Sequence, residues 1–460
     1  MLPLLVLTIL SYPISSLGQF NPVSYTLPPP PSLTGALSPN YALYNAEKLH
    51  ARRIVGPTSF AFFNGSVFTV TADRKVVDIA TCIPRVVANL QPPGCNSIPT
   101  CGLLTSIRMG VDGQLLVLDA YRGLFQVNPT TGAIRQLYSA LNQVGGRLSR
   151  YLNDMVQTPD GIVFISDSSD RFDAANDIYI IMEGRPSGRI LALNPATGAI
   201  TEVLRDVLAY PNGLELTADG TALLMSETGR ARILRMSLLA ATYKQITTFA
   251  DNLPGLPGNI RRSARGTYWV GLSLVRHSGI PNSLDMFSNN PAARTRTVTT
   301  VNQATIKSYF PKYGLLVELD ASGRIIGSLH DPTGQVYSAI SEAAENQGLL
   351  YVGNPSNLFT GRIVLPQGDG RVVTLDSVIQ VMRSRCQIPE DKLAQARAVL
   401  NSYIEKQTGS PAIPPQGAPD SSRIQFTSSS GLQPTTAPGM QTTLIGATAT
   451  VQPTNAQVRG

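Results

Sequence analysis

Between residues 54 and 365 the chain alternates short apolar runs with clusters of Gly, Asp and Asn, and the runs have strand length rather than helix length. One order of features recurs. A small-residue turn leads into an apolar strand, an Asp-Gly or Asn-Gly turn, a second apolar strand ending in an acid, a polar loop and a third strand. In the third copy Asn153-Asp154-Met155-Val156 runs through Asp160-Gly161 into Ile162-Val163-Phe164-Ile165 and on to Asp167, with residues 188–193 following. In the fourth, Asn212-Gly213-Leu214 runs through Asp219-Gly220 to residues 223–227, then 231–236. Other copies open at Gly56, Ser106, Gly258 and Tyr337. Each supplies three or four strands that cannot bury both faces alone. Units repeating at roughly 45–60 residues bury their faces by stacking radially, so the pattern predicts an all-β, six-bladed β-propeller over residues 47–365.

The flanks read differently. Pro28-Pro29-Pro30-Pro31 and Pro39 make residues 19–46 an extended leader. Residues 273–313, rich in Asn, Pro, Ser, Thr and Arg, interrupt the fifth copy and are predicted as an exposed excursion on one face. Residues 366–407 form an extension with one amphipathic helix, opened by Pro389-Glu390-Asp391 and striped by Leu393, Ala396, Leu400 and Tyr403. Residues 408–460 are rich in Ser, Thr and Pro and carry a single aromatic, Phe426, which predicts a disordered tail open to O-glycosylation.

Composition agrees with this layout. Of 460 residues only 15% are charged, with 39 Gly and 34 Pro, which suits many strands and tight turns. The net charge of +7 is spread over 37 basic and 30 acidic residues with no run of five Lys or Arg, which argues against nucleic acid as a partner. Three His and one Trp exclude a His-rich metal centre.

The apolar stretch at residues 2–10, followed by Ser15-Ser16-Leu17-Gly18, predicts a secretory signal over residues 1–18 and a secreted or endoplasmic-reticulum luminal chain. It is too short to span a bilayer, so membrane association requires that the signal be retained. Cysteines then meet an oxidising lumen. Four of them allow three connectivities; Cys95 and Cys101 are close enough to pair locally, leaving Cys82 and Cys386. Asn64-Gly65-Ser66 is a glycosylation sequon, or equally the tight turn of a hairpin.

Several motifs in order resemble the strictosidine synthase-like family. They are Asp119-Ala120-Tyr121-Arg122-Gly123-Leu124-Phe125, Glu183-Gly184-Arg185, Pro211-Asn212-Gly213-Leu214, Ser226-Glu227-Thr228-Gly229-Arg230, Leu253-Pro254-Gly255 and Tyr268-Trp269-Val270. The likeness is to the branch holding the adipocyte plasma membrane-associated proteins and hemomucin, and spans roughly residues 47–365. It implies a six-bladed propeller distantly related to the calcium-dependent paraoxonase lactonases, with arylesterase-like hydrolysis suggested for the branch. The family's catalytic glutamate aligns with Ser341, and Glu342 beside it is expected to face the other way. A hydroxyl is no general base, so alkaloid synthesis is not expected.

The turns that open the blades converge on the central tunnel, bringing Thr58, Asn153, Asn212, Gly258 and Asn259 together. Asn153, Asn212 and Asn259 are candidate axial ligands for calcium, with Asp154 a further one if it points inward. By resemblance the ion also needs two carboxylates, whose positions hold Thr58 and Gly258, so binding is expected to be weak. The other reading is that these asparagines satisfy loop backbone. No lactonase histidine is present in the 104–107 segment, and His50, His277 and His330 are expected to be exposed or structural. Asp73, Asp119, Asp167 and Glu227 recur at the end of second strands and are expected to cap backbone N–H groups, while Arg185, Arg189, Arg230 and Arg232 are expected in blade-edge ion pairs. Two functions follow. One is a weak metal-dependent arylesterase-type hydrolase acting on a small-molecule ester. The other is a non-catalytic extracellular binding protein, monomeric, that presents a rigid platform to a surface ligand and carries a mucin-like tail.

Overall fold

The computed structural model describes residues 20–279 and 283–365, together with two paired two-residue strands, Gln425–Phe426 and Ala449–Thr450. The expected signal, the helix at residues 389–403, Cys386 and the tail as a whole lie outside the described residues.

Residues 47–364 form six four-stranded antiparallel sheets. Blade 1 is Phe60–Phe63, Ser66–Val70, Lys75–Asp78 and Arg85–Asn89. Blade 2 is Leu104–Met109, Leu115–Asp119, Gly123–Val127 and Ile134–Ser139. Blade 3 is Leu152–Gln157, Val163–Asp167, Gly188–Leu193 and Ile200–Leu208. Blade 4 is Pro211–Leu216, Ala222–Glu227, Arg232–Ser237 and Ile246–Ala250. Blade 5 is Gly255–Arg262, Tyr268–Val275, Gly314–Leu319 and Ile325–Asp331. Blade 6 takes three strands in order, Glu342–Asn346, Leu349–Gly353 and Thr360–Val364, and its fourth, Glu47–Leu49, from the start of the repeat region. Each first strand touches the next, and that of blade 6 touches that of blade 1, so the six-bladed propeller closes into a ring.

The core explains why the strands read as unbroken apolar runs. Six hydrophobic clusters each fill one blade–blade interface. Alternate residues of one strand enter alternate clusters: Val163 and Ile165 pack towards blade 2, Phe164 towards blade 4. Leu115 and Val117 likewise pack towards blade 1 while Leu116 and Leu118 pack towards blade 3. A strand buried on both faces needs no polar alternation.

The expected turns close the hairpins, with two residues between strands in blades 1 and 6 and five in blades 2 to 5. Asn64 and Gly65 are both at positive φ between the first two strands of blade 1, as a tight hairpin turn requires, and Asn64 is exposed. Cys95 and Cys101 form a disulfide around helix α1, Ile98–Cys101, and Cys82 is disulfide-bonded as well.

The insertion in blade 5 lies on one face, as read, but it is folded onto that face through a few buried side chains. The strand continues to Val275, and three helices follow: Ser283–Phe287, Pro291–Thr300 and Gln303–Ser308. Asn290 accepts from Ala293 N–H and Asn302 from Thr305 N–H, so each caps its helix. Leu284, Val298 and Ile306 are buried in a seventh cluster with Ile178, Tyr179 and Met182 of a helix in blade 3, Asp177–Glu183. Both insertions leave between second and third strands, the same end at which the first strands begin, so together they roof the mouth of the tunnel. The leader crosses this roof: Val23 N–H donates to Glu183 O at 3.0 Å, Tyr25 N–H to Ser288 O at 3.2 Å, and Arg276 to Pro28 O at 2.6 Å.

Candidate functional site

A register break at the mouth end of the first strands shapes the axis. Pairing with the second strand skips between Leu152 and Met155, between Pro211 and Leu214, and between Pro257 and Ile260. Such bulges turn extra residues towards the axis. The residues inside them are Asn153-Asp154, Asn212-Gly213 and Gly258-Asn259. Asn153 and Asn212 therefore share the first bulge position, nearer the mouth, while Asn259 shares the second with Asp154.

The second layer is an ion network. Asp154 is fully buried. Its Oδ1 accepts from Ser106 Oγ at 2.6 Å and Arg261 Nη2 at 2.9 Å, and its Oδ2 from Leu214 N–H at 2.8 Å and Arg261 Nη1 at 2.7 Å. Arg261 also pairs with Glu342, whose other oxygen accepts from Phe60 N–H at 2.8 Å. Asn259 donates through Nδ2 to Glu342 Oε2 at 3.0 Å. Arg108 extends the network downwards, 2.9 Å from Glu215 and 3.8 Å from Asp154. Burial pushes the Asp154 carboxyl pKa up, but Arg261, Arg108 and the bonds around it prevail and hold it below the ordinary carboxylate value. Burial likewise opposes the charge on Arg261, and the Asp154 and Glu342 carboxylates more than restore it.

The first layer is neutral. Asn153 Nδ2 donates to Ser168 Oγ at 3.0 Å, Ser341 Oγ to Thr58 O at 2.8 Å, and Asn212, Thr58 and Ser341 are half-buried. Tyr151 and Tyr210, each the residue before a first strand, pack with tilted rings whose centres are 5.9 Å apart. Burial pushes both phenols up, so neither supplies a phenolate.

This donor set does not fit a divalent cation. The three asparagines bring no charge, and the axial carboxylates are taken by arginines, Asp154 and Glu342 by Arg261 and Glu215 by Arg108. A carboxylate at 258 would have no room, because a Cβ there lies 2.9 Å from Ser341 O. Among the described residues, no group of three or more His, Cys, Asp or Glu side chains is placed to hold a metal ion.

Glu342 corrects the sequence reading. It does not turn away from the axis but into it, because the strand begins at Glu342 and Ser341 belongs to the preceding loop. Its pairing with Arg261 leaves it no free base. Arg108, Glu215 and Arg261 were not singled out from sequence at all, although a signal was there. Each follows the bulge of its strand by two or three residues, in Ser106-Ile107-Arg108, Gly213-Leu214-Glu215 and Asn259-Ile260-Arg261, so three blades place an ionisable residue at one register position.

Outside the axis, Asp119 Oδ1 accepts from the N–H groups of Leu103, Tyr121 and Arg122, Asp167 Oδ1 from Tyr151 N–H, and Glu227 Oε1 from Ala209 N–H. These three cap backbone as expected. Asp73 does not: it lies in the turn after its strand, bound to Thr71 and Lys75. Arg189 and Arg232 form the expected ion pairs, with Asp167 and Glu227, whereas Arg185 donates to Asn21 O and Arg230 to Gly184 O. His330 is buried between Tyr313 Oη and Ser328 Oγ, 2.8 and 2.7 Å away. No helix among the described residues is long and apolar enough to cross a membrane.

Several known proteins are similar to this chain. The profile of the family described as Strictosidine synthase matches residues 153–241, blade 3 and most of blade 4. The adipocyte plasma membrane-associated protein of Salmo salar is 39% identical over 359 residues, covering 77% of this chain and 85% of that one. Hemomucin of Drosophila melanogaster, also an adipocyte plasma membrane-associated protein by name, is 29% identical over 378 residues, 75% of this chain and 64% of its own. Among solved structures, a gluconolactonase of Xanthomonas campestris is similar with a TM-score of 0.48 at 14% identity, covering 75% of this chain and 97% of that one. The chain belongs to the strictosidine synthase-like family, among the homologues of the adipocyte plasma membrane-associated proteins.

Proposed function

We propose that this protein is a binding propeller, whose roofed mouth takes an uncharged, hydrogen-bonding ligand presented at a surface, and that it is not a strictosidine synthase. The observation that supports this is the pairing of Asp154 and Glu342 with Arg261, which leaves the mouth layer with hydroxyls and amides alone: Thr58, Asn153, Asn212 and Ser341. Neutral donors and acceptors orient a polar ligand, but none of them removes a proton from water at neutral pH.

The second reading, a weak metal-dependent arylesterase, is favoured by the two amides at the first bulge position, Asn153 and Asn212. One experiment separates the readings. Phenyl acetate turnover and melting temperature are followed through a calcium titration, in parallel with binding to an array of neutral saccharides. Binding lost in Asn212→Ala, with no calcium-dependent turnover or melting shift, is the expected result. Calcium-dependent turnover that Asn212→Ala abolishes would replace binding by hydrolysis.

A further inference from the structure

Six oxygen atoms surround the two terminal nitrogens of Arg261. Nη1 donates to Asp154 Oδ2 at 2.7 Å and Ile260 O at 2.8 Å. Nη2 donates to Asp154 Oδ1 at 2.9 Å, meets Ser59 Oγ at 3.4 Å and Ser106 Oγ at 3.5 Å, and pairs with Glu342 Oε2. The oxygens come from blades 1, 2, 3, 5 and 6, and blade 4 joins by donating Leu214 N–H to Asp154. Arg261 Nε is buried with no partner, so the guanidinium is held by its two ends and not by its stem.

Two carboxylates, two hydroxyls, a backbone carbonyl and a nearby amide form a hard-oxygen donor set of the number calcium takes, at spacings a little wider than calcium–oxygen contacts. In this chain the set is filled by a side-chain cation. We infer that Arg261 serves as a built-in substitute for a divalent cation, pinning the six blades at the axis, and that removing its side chain converts the axis into a calcium site. The charges agree. Arg108 and Arg261 face Asp154, Glu215 and Glu342, two positive groups against three negative, and exchanging the guanidinium for a doubly charged ion brings the network to neutrality. This rests on the reading above that Asp154 and Glu342 are already paired, and extends it to the part their partner plays.

The test compares wild type, Arg261→Ala and the triple variant Arg261→Ala, Asp154→Asn, Glu342→Gln. Each is melted in EDTA and in about 10 mM calcium, with ionic strength matched by sodium chloride. Expected are no calcium response in the wild type, a melting temperature in Arg261→Ala that falls in EDTA and rises by about 5 °C or more in calcium, and no response in the triple variant. Should Arg261→Ala fail to fold in EDTA, refolding yield with and without calcium is the readout. The inference is overturned if Arg261→Ala gains nothing from calcium by either measure, or if the triple variant responds equally. A wild-type response that Asn212→Ala removes would instead defeat the proposed function, so the two failures are distinguishable.

Discussion

The Tyr25 ring lies 4.1 Å from the guanidinium carbon of Arg230, with Arg294 5.1 Å from the same ring centre. A residue of the Pro-rich leader is thus clamped between a loop of blade 4 and a helix of the blade 5 insertion. The backbone adds to the clamp, since Arg294 also donates to Val23 O and Met182 O. Burial pushes both guanidinium pKa values down, and the ring face offers both charges an attraction, joined at Arg230 by that of the Glu227 carboxylate.

Replacing Tyr25, which is half-buried, should therefore loosen the roof. Tyr25→Ala is expected to lower stability by about 2 kcal/mol, while Tyr25→Phe, which keeps the ring, should stay near wild type. Denaturant unfolding checks the difference. Equal losses in both variants would move the effect from the ring to the hydroxyl. Gly184→Ala tests the same contact from the other side, because a Cβ there would sit 2.3 Å from the Tyr25 ring.

Two aspartates that look alike in sequence should behave differently. Asp119 is fully buried with three backbone N–H groups on one oxygen, and Asp119→Ala is expected to cost about 2–4 kcal/mol. Asp73 forms a half-exposed pair with Lys75, and Asp73→Ala should change stability by about 0.5 kcal/mol or less. Thermal unfolding of both variants measures the contrast.

Acid sensitivity should trace in part to His330. Burial, helped by neighbouring His277, pushes its pKa down from 6.5 to about 4. The folded protein holds this proton less readily than the unfolded chain, so the imidazole's contribution is fully present above pH 6.5 and is lost as pH falls towards 4. The loss amounts to about 3 kcal/mol at the acid end. A stability–pH profile of His330→Gln should be flatter through that window, and one parallel to wild type would contradict the assignment.

Restoring a carboxylate at the expected ligand position should not restore a metal site. Gly258→Asp forces a side chain against Ser341 O, and the expected result is a loss of about 1–3 kcal/mol with no calcium-dependent recovery. Melting in EDTA and in calcium decides it. A variant stabilised by calcium would show that the mouth can open around residue 258.

Much of the propeller was legible because its repeat is written twice, in apolar runs and in Asp-Gly turns. Asp160-Gly161 and Asp219-Gly220 fix hairpins wherever tertiary contacts fall. The Glu47–Leu49 strand was not legible: three residues carry no period, and only pairing with Thr360–Val364 makes them a strand. The roof was misjudged because its helices are short and polar, with burial confined to a few side chains such as Leu284 and Val298. At the axis, the convergence of Asn153 and Asn212 followed from the repeat, but Arg261 reads on the page as an ordinary strand charge. Its role depends on oxygens from five blades, more than 200 residues apart from Ser59 to Arg261.

The borrowed strand of blade 6 also sets an order of assembly. Glu47–Leu49 leaves the ribosome long before its partner, Thr360–Val364, exists, so the ring stays an open arc until nearly the whole repeat region has been synthesised. Until then the flank of blade 1 that Ala344 and Tyr351 cover in the finished ring stays bare, with Phe60 and Val67 among its apolar side chains.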